Sequence, residues 1–125
     1  MRKWMLIGAA VLLVAYPALG QHKHGEMKGP NGGPVEDVAG VHAEFVATGT
    51  ALTFNILDEG NKPLSTKGYT GSVLIVSGPD RETVQLTASD NSLRGEAKKM
   101  VPAGAAITLQ LKTDVGKSGQ ARFKK

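Results

Sequence analysis

Apolar and polar residues alternate with a period of two through most of the chain after position 40, and this pattern constrains the fold most strongly. The alternation is clearest at 41–48, 52–57, 83–87, 107–112 and 121–124. Clusters rich in glycine, proline, asparagine and aspartate separate these segments. A period of two is typical of β-strands with one buried face. After position 34, no long stretch has the spacing of an amphipathic helix.

Seven or eight short strands joined by turns predict an all-β domain at residues 35–125. We favour an antiparallel, immunoglobulin-like β-sandwich, with a small β-barrel as the alternative, because periodicity does not give the strand order. The chain has no cysteine, so disulfides play no part in either fold. The residues expected inside share the apolar side of the alternation. They are Phe45, Leu52, Phe54, Ile56, Val84, Leu86, Ile107, Leu109, Leu111 and Phe123.

The first twenty residues have the composition of an export signal. Two basic residues precede an almost entirely apolar run at 5–16, and the small residues Ala18 and Gly20 follow it. This order is that of a secretory signal peptide. The apolar run is shorter than the roughly twenty residues that span a bilayer. We therefore expect residues 1–20 to be cleaved, leaving a periplasmic or secreted protein without a membrane span.

The charge of the chain becomes nearly balanced once the signal is removed. Fifteen basic and eleven acidic residues give the whole chain a formal charge of +4. Two of the basic residues lie in the signal, so the mature chain carries +2. Nucleic-acid binding depends on neutralising many phosphates with lysine and arginine. A balanced, exported chain therefore predicts no nucleic-acid partner.

Motifs for catalysis are missing from the predicted domain. Gly116-Lys-Ser118 is like the end of a phosphate-binding loop, but Leu111 stands where the first glycine is needed. The nucleophile motif Gly-x-Ser-x-Gly is absent. A serine hydrolase would have to be built around His42, the only histidine after residue 34. We therefore expect a protein that is not an enzyme, and a sandwich-fold hydrolase is the weakest alternative.

Two of the three histidines lie in a polar lead at residues 21–34, which is rich in glycine and proline and is expected to be flexible. His22 and His24 can bring two imidazoles to one ion without rearranging a core. Neutral imidazole binds copper, zinc and nickel, and copper or zinc is the expected ion. The alternative is a solvated linker whose histidines bind nothing.

The third histidine is predicted to share one face of a strand with an acidic residue. His42 and Glu44 are two positions apart, so their side chains leave the strand on the same side. They are candidate supplementary ligands for the metal ion held by the lead. The alternative is the ordinary polar, solvent-facing side of a strand.

One short motif resembles a known family. Gly29-Pro-Asn-Gly-Gly-Pro34 and the following Val41-His-Ala-Glu-Phe45 resemble the glycine-rich opening and first strand of periplasmic adaptor subunits of heavy-metal efflux pumps. Small exported proteins of unknown role share this layout, and the similarity covers about residues 22–63. The adaptors' long helical hairpin and barrel have no room in this chain. The resemblance implies a metal-handling module linked to heavy-metal efflux.

The sequence therefore supports two functions of different kinds. The first is a small exported protein that buffers transition-metal ions or hands them on, in contact with an envelope or efflux-system protein. The second is a non-catalytic, immunoglobulin-like interaction module that docks to another envelope protein and uses the lead only as a tether. The two differ in whether the histidines of the lead are needed.

Overall fold

The computed structural model describes residues 27–125, which form eight antiparallel β-strands. Within this part of the chain there is no helix, and so none that is long and apolar enough to cross a membrane. The predicted signal peptide at residues 1–20 lies outside the described residues. The predicted metal ligands His22 and His24 lie outside them as well. The strands are β1 (Val35–Val38), β2 (Val41–Thr48), β3 (Ala51–Leu57), β4 (Thr70–Ser77), β5 (Asp80–Ser89), β6 (Ser92–Glu96), β7 (Ala106–Lys112) and β8 (Ser118–Lys124).

All eight strands belong to one sheet in the order β1-β2-β3-β6-β5-β4-β7-β8. The long strand β5 joins the two halves, because residues 80–86 pair with β4 and residues 87–89 pair with β6. The two ends of the sheet meet where β8 passes the end of β1. A side chain added at Gly119 would come within 2.8 Å of the backbone nitrogen of Ala39. The sheet is thus nearly closed into a barrel.

This arrangement confirms the all-β prediction and fits the small-barrel alternative. An immunoglobulin-like sandwich has two separate sheets, whereas here the strands form one continuous sheet. The pairing also joins segments far apart in the sequence, since β3 lies beside β6 and β4 beside β7. These pairings join the early and late strands of the chain into one sheet.

The core fills the inside of the barrel, and the ten residues predicted to lie inside are all buried. At its centre three phenylalanine rings contact one another. Phe45 stacks on Phe54 with ring centroids 5.1 Å apart, and Phe123 lies 5.6 Å from each of them. In each of these strands every second residue points inward, as the alternation predicts. The core prediction is therefore confirmed.

The folded part of the chain begins before residue 35. The sequence pattern assigns residues 21–34 to a polar lead, but from Met27 onward the lead is hydrogen-bonded to the sheet. The Pro34 carbonyl accepts a bond from the Phe45 N–H, and Val35 N–H donates to the Met27 carbonyl. The strand β1, which the alternation does not reveal, follows directly. The segment has little to bury, so backbone hydrogen bonds hold it in place.

Candidate functional site

The glycine-rich motif folds into a tight loop over the outer face of β2. Within the loop, Gly29 N–H donates to the Gly33 carbonyl at 2.8 Å, and Gly32 N–H donates to the Gly29 carbonyl at 2.9 Å. Gly32 has a φ of +82°, which favours glycine over residues with a side chain. The loop therefore closes on itself before the chain enters β1.

The carboxylate of Glu44 lies beneath this loop and is fully buried. It accepts three hydrogen bonds from two loop residues. The backbone N–H groups of Asn31 and Gly33 both donate to Oε2 at 2.8 Å, and Asn31 Nδ2 donates to Oε1 at 3.0 Å. Hydrogen bonds to an ionised acceptor are stronger than bonds between neutral groups. The carboxylate therefore holds the loop on the sheet.

The close approach of loop and strand explains two of the glycines in the motif. A Cβ atom at Gly29 would lie 2.5 Å from Cδ of Glu44. A Cβ atom at Gly33 would overlap the backbone carbonyl oxygen of Phe45. Neither position has space for a side chain unless the loop moves. The glycine-rich motif and Glu44 therefore form one structural unit.

The structure places His42 and Glu44 on the same face of β2, as their spacing predicts, but gives them different partners. Glu44 points to the loop, and its oxygens are occupied by the N–H donors described above. A metal ion could use this carboxylate only by displacing those hydrogen bonds. Its surroundings thus give Glu44 a structural role. The alternation in the sequence could not predict this, because a polar residue on the outer face is normally exposed.

The partner of His42 is Asp37 on the neighbouring strand β1. His42 Nε2 lies 2.9 Å from Asp37 Oδ1, and the two residues are opposite each other in the register of β1 and β2. The aspartate side chain is 75% exposed and that of the histidine 18%. The other ring nitrogen, Nδ1, is buried and has no hydrogen-bond partner. The pair therefore presents one imidazole nitrogen and one carboxylate at the surface.

Asp37 is the residue that the sequence interpretation missed. The sequence signal for it is weak, because Ala39-Gly40, which connects β1 to β2, is not one of the Asn-Gly or Asp-Gly pairs typical of such turns. Ala39 and Gly40 have φ values of +52° and +86°, and two-residue hairpin turns with positive φ at both positions are common between paired strands. A hairpin centred on these residues places Val38 opposite Val41, and therefore Asp37 opposite His42.

The chain enters the described part along the edge of β1 that faces away from β2. Val35 N–H donates to the Met27 carbonyl at 3.1 Å, and Lys28 lies opposite Pro34 in an antiparallel bridge. In an antiparallel pair, a step back along one strand matches a step forward along the other. Met27 therefore lies beside Val35 on this edge, two strand positions away from Asp37.

The described residues do not by themselves provide a complete metal site. Between Met27 and Lys125, no group of three or more histidine, cysteine, aspartate or glutamate side chains is arranged to hold an ion. His42 and Asp37 supply two donors, and the predicted ligands His22 and His24 precede Met27. Comparison of the sequence with models of known protein families, with curated proteins and with solved structures gave no match.

Proposed function

We propose that this chain is a small exported metal-binding protein of the periplasm, which buffers a transition-metal ion or hands it on in connection with heavy-metal efflux. The observation that carries the proposal is the pair formed by His42 and Asp37, 2.9 Å apart, with Met27, which follows the two histidines of the lead in the sequence, beside Val35 on the same strand as Asp37. Imidazole nitrogen together with carboxylate oxygen suits copper and zinc. The role is that of a binding protein, without catalysis.

The domain contributes His42 Nε2 and Asp37 Oδ1 to the proposed site. Bonds from one ion to nitrogen and oxygen ligands are about 2.0–2.2 Å long, so adjacent ligand atoms stand roughly 3 Å apart. The observed 2.9 Å is the length of a hydrogen bond, so an ion would take the place of the shared proton, and the two atoms need move apart only slightly. Nδ1 of the same ring is buried, so Nε2 is the nitrogen that an ion can reach. Asp37 takes the role that was predicted for Glu44.

The lead is long enough to complete the site. Met27 lies beside Val35, two positions before Asp37 on β1, and two strand residues cover roughly 7 Å. His24 is three residues before Met27 in the sequence, and three extended residues span roughly 10 Å. The imidazoles of His22 and His24 can therefore supply two further ligands to an ion held by His42 and Asp37.

The cost of ordering the lead fits a protein that releases its ion. Fixing the backbone costs about 1–2 kcal/mol for each residue that becomes ordered. Several residues of the lead must be fixed for two imidazoles to meet one ion, and this cost is subtracted from the affinity. The site therefore binds with moderate affinity, which suits buffering or transfer.

Calorimetric titration of the mature protein, residues 21–125, with Cu(II), Cu(I), Zn(II) and Ni(II) tests the proposal. The double variant His22→Ala with His24→Ala is expected to weaken binding by about a hundredfold, because two of four ligands are lost. Asp37→Asn is expected to weaken it by about tenfold. The matched control is Glu36→Gln, since this acidic residue adjoins Asp37 but lies on the opposite face of β1.

Each part of the proposal has an outcome that contradicts it. Unchanged binding by the double variant would show that His22 and His24 are not ligands. Equal effects of Asp37→Asn and Glu36→Gln would show that the Asp37 carboxylate is not a ligand. Failure of the unsubstituted protein to bind any of the four ions would remove the metal function altogether.

Export is tested by the mass of the protein in fractionated cells. We expect the main species to lie outside the cytoplasm and to begin at Gln21, because the cleavage pattern ends at Gly20. Intact-mass spectrometry of the envelope and cytoplasmic fractions measures both properties. A full-length cytoplasmic protein as the main species would contradict the prediction.

A further inference from the structure

The outer face of the half-barrel β5-β4-β7-β8 carries positive charge without any acidic residue. Side chains alternate across the sheet, so β4, β7 and β8 each direct four residues outward and β5 directs five. None of them is aspartate or glutamate. We call this surface the basic face. Its outward residues are Thr70, Ser72, Leu74, Val76, Arg81, Thr83, Gln85, Thr87, Ser89, Ala106, Thr108, Gln110, Lys112, Ser118, Gln120, Arg122 and Lys124.

The strand register places apolar side chains at the centre of the basic face and cations at its sides. Leu74 and Val76 are half-buried on β4. Val76 lies opposite Arg81 on β5. On the other side, β7 separates β4 from β8, which carries Arg122 and Lys124 in the corresponding rows. The face thus has an apolar strip with exposed cations on both edges.

A polar groove continues from this strip. Its volume is about 360 Å³. Two of the residues that line it, Gly71 and Gly119, have no side chain, and a third, Ser72, has a small one. The amides of Gln85 and Gln110 lie on either side of Ser72 and offer donors and acceptors for hydrogen bonds. The groove therefore provides polar contacts beside the apolar strip.

The cations of the basic face are not engaged in ion pairs with other described residues. The ion pairs between Met27 and Lys125 are His42 with Asp37 and Lys99 with Asp80. Acidic residues that point outward from the barrel wall lie on the other half, where Asp37 is on β1 and Glu96 on β6. The other half also carries the outward Arg94 on β6, so its charges are mixed, whereas those of the basic face are all positive.

We propose that the basic face is a docking surface for an acidic segment of another envelope protein. Carboxylates of the partner would pair with Arg81, Arg122 and Lys124, and an apolar side chain between them would cover Leu74 and Val76. An apolar centre surrounded by charged residues is the usual anatomy of a protein interface. The proposal goes beyond metal binding, because none of the proposed metal ligands lies on this face.

The apolar strip favours a protein over a polysaccharide or a membrane. An anionic polysaccharide would pair with the cations but leave Leu74 and Val76 without an apolar partner. Insertion into a bilayer would require these side chains to project beyond the cations, whereas they are half-buried and the cations are exposed. A partner with both carboxylates and apolar side chains matches both features of the face.

Two labelled peptides of equal length and charge serve as probes, one alternating glutamate with leucine and the other alternating glutamate with serine. Fluorescence anisotropy with the mature protein measures their binding at low and at physiological ionic strength. We expect the glutamate-leucine peptide to bind about fivefold more tightly than the glutamate-serine peptide. The variant Leu74→Thr should abolish this preference without weakening the glutamate-serine peptide.

The charges are tested with the double variant Arg122→Gln and Lys124→Gln, which should weaken both peptides by about tenfold. Its control is Lys62→Gln with Lys67→Gln, which removes the same charge from exposed positions between β3 and β4. Three results would overturn the proposal: no binding of either peptide at low ionic strength, equal loss in the control, or equal affinity for the two peptides. Binding of dextran sulfate or anionic vesicles without binding of the peptides would also overturn it.

Discussion

Replacing Phe54 with alanine is expected to lower the free energy of unfolding by about 3–5 kcal/mol. Its side chain is fully buried, and its ring packs against Phe45 and Phe123 with centroid distances of 5.1 and 5.6 Å. Removal of the ring leaves a cavity that the neighbouring strands cannot fill without changing their pairing. Strand β3 lies between β2 and β6, which further restricts its movement.

Urea denaturation followed by far-ultraviolet circular dichroism measures this loss. The control is Thr53→Ala, the preceding residue of β3, which points out of the barrel and should cost less than about 1 kcal/mol. Should the alanine variant fail to fold, Phe54→Leu provides a milder change with an expected cost of about 1–2 kcal/mol. Equal stabilities of the Phe54 and Thr53 variants would show that the three-ring cluster does not anchor the core.

The core residues were predictable because each strand of the barrel has one face inside. A period of two then marks the inward side chains directly, as at Leu52, Phe54 and Ile56 on β3. The closure of the barrel was not predictable in the same way. It depends on β3 pairing with β6 and on β5 changing its partner from β4 to β6. Alternation within a strand carries no information about its neighbours.

The sequence predicted which face of β2 carries His42 and Glu44 but not what surrounds them, and this difference has a physical cause. The spacing of His42 and Glu44 correctly placed them on one face of β2, but the environment of each depends on a different neighbouring segment. The four-residue strand β1 brings Asp37 to His42. Two of the three hydrogen bonds that hold the loop over Glu44 come from backbone N–H groups, which every residue type except proline possesses. The side-chain pattern therefore gives no sign of that contact.

The substitution Glu44→Gln is expected to lower the free energy of unfolding by about 3 kcal/mol. The two side chains have nearly the same size, so the loss does not come from a cavity. The carboxylate accepts bonds on both oxygens, whereas the amide has one oxygen and an NH₂ group that would face an N–H donor of the loop. The amide of Asn31 can turn so that its oxygen accepts from this NH₂ group, so the cost comes from loss of the negative charge that strengthens the bonds from the two backbone N–H groups.

Two measurements separate a structural role of Glu44 from a role in metal binding. Amide hydrogen exchange should show that residues 29–33 lose protection in Glu44→Gln, while the control Glu59→Gln, at an exposed turn, leaves both stability and exchange unchanged. Under conditions where the variant is folded, its metal affinity should stay within about twofold of the unsubstituted protein, in contrast to the tenfold loss expected for Asp37→Asn. A folded Glu44→Gln protein with an intact loop and weakened metal binding would instead make Glu44 a ligand, because the carboxylate would then matter to the ion and not to the loop.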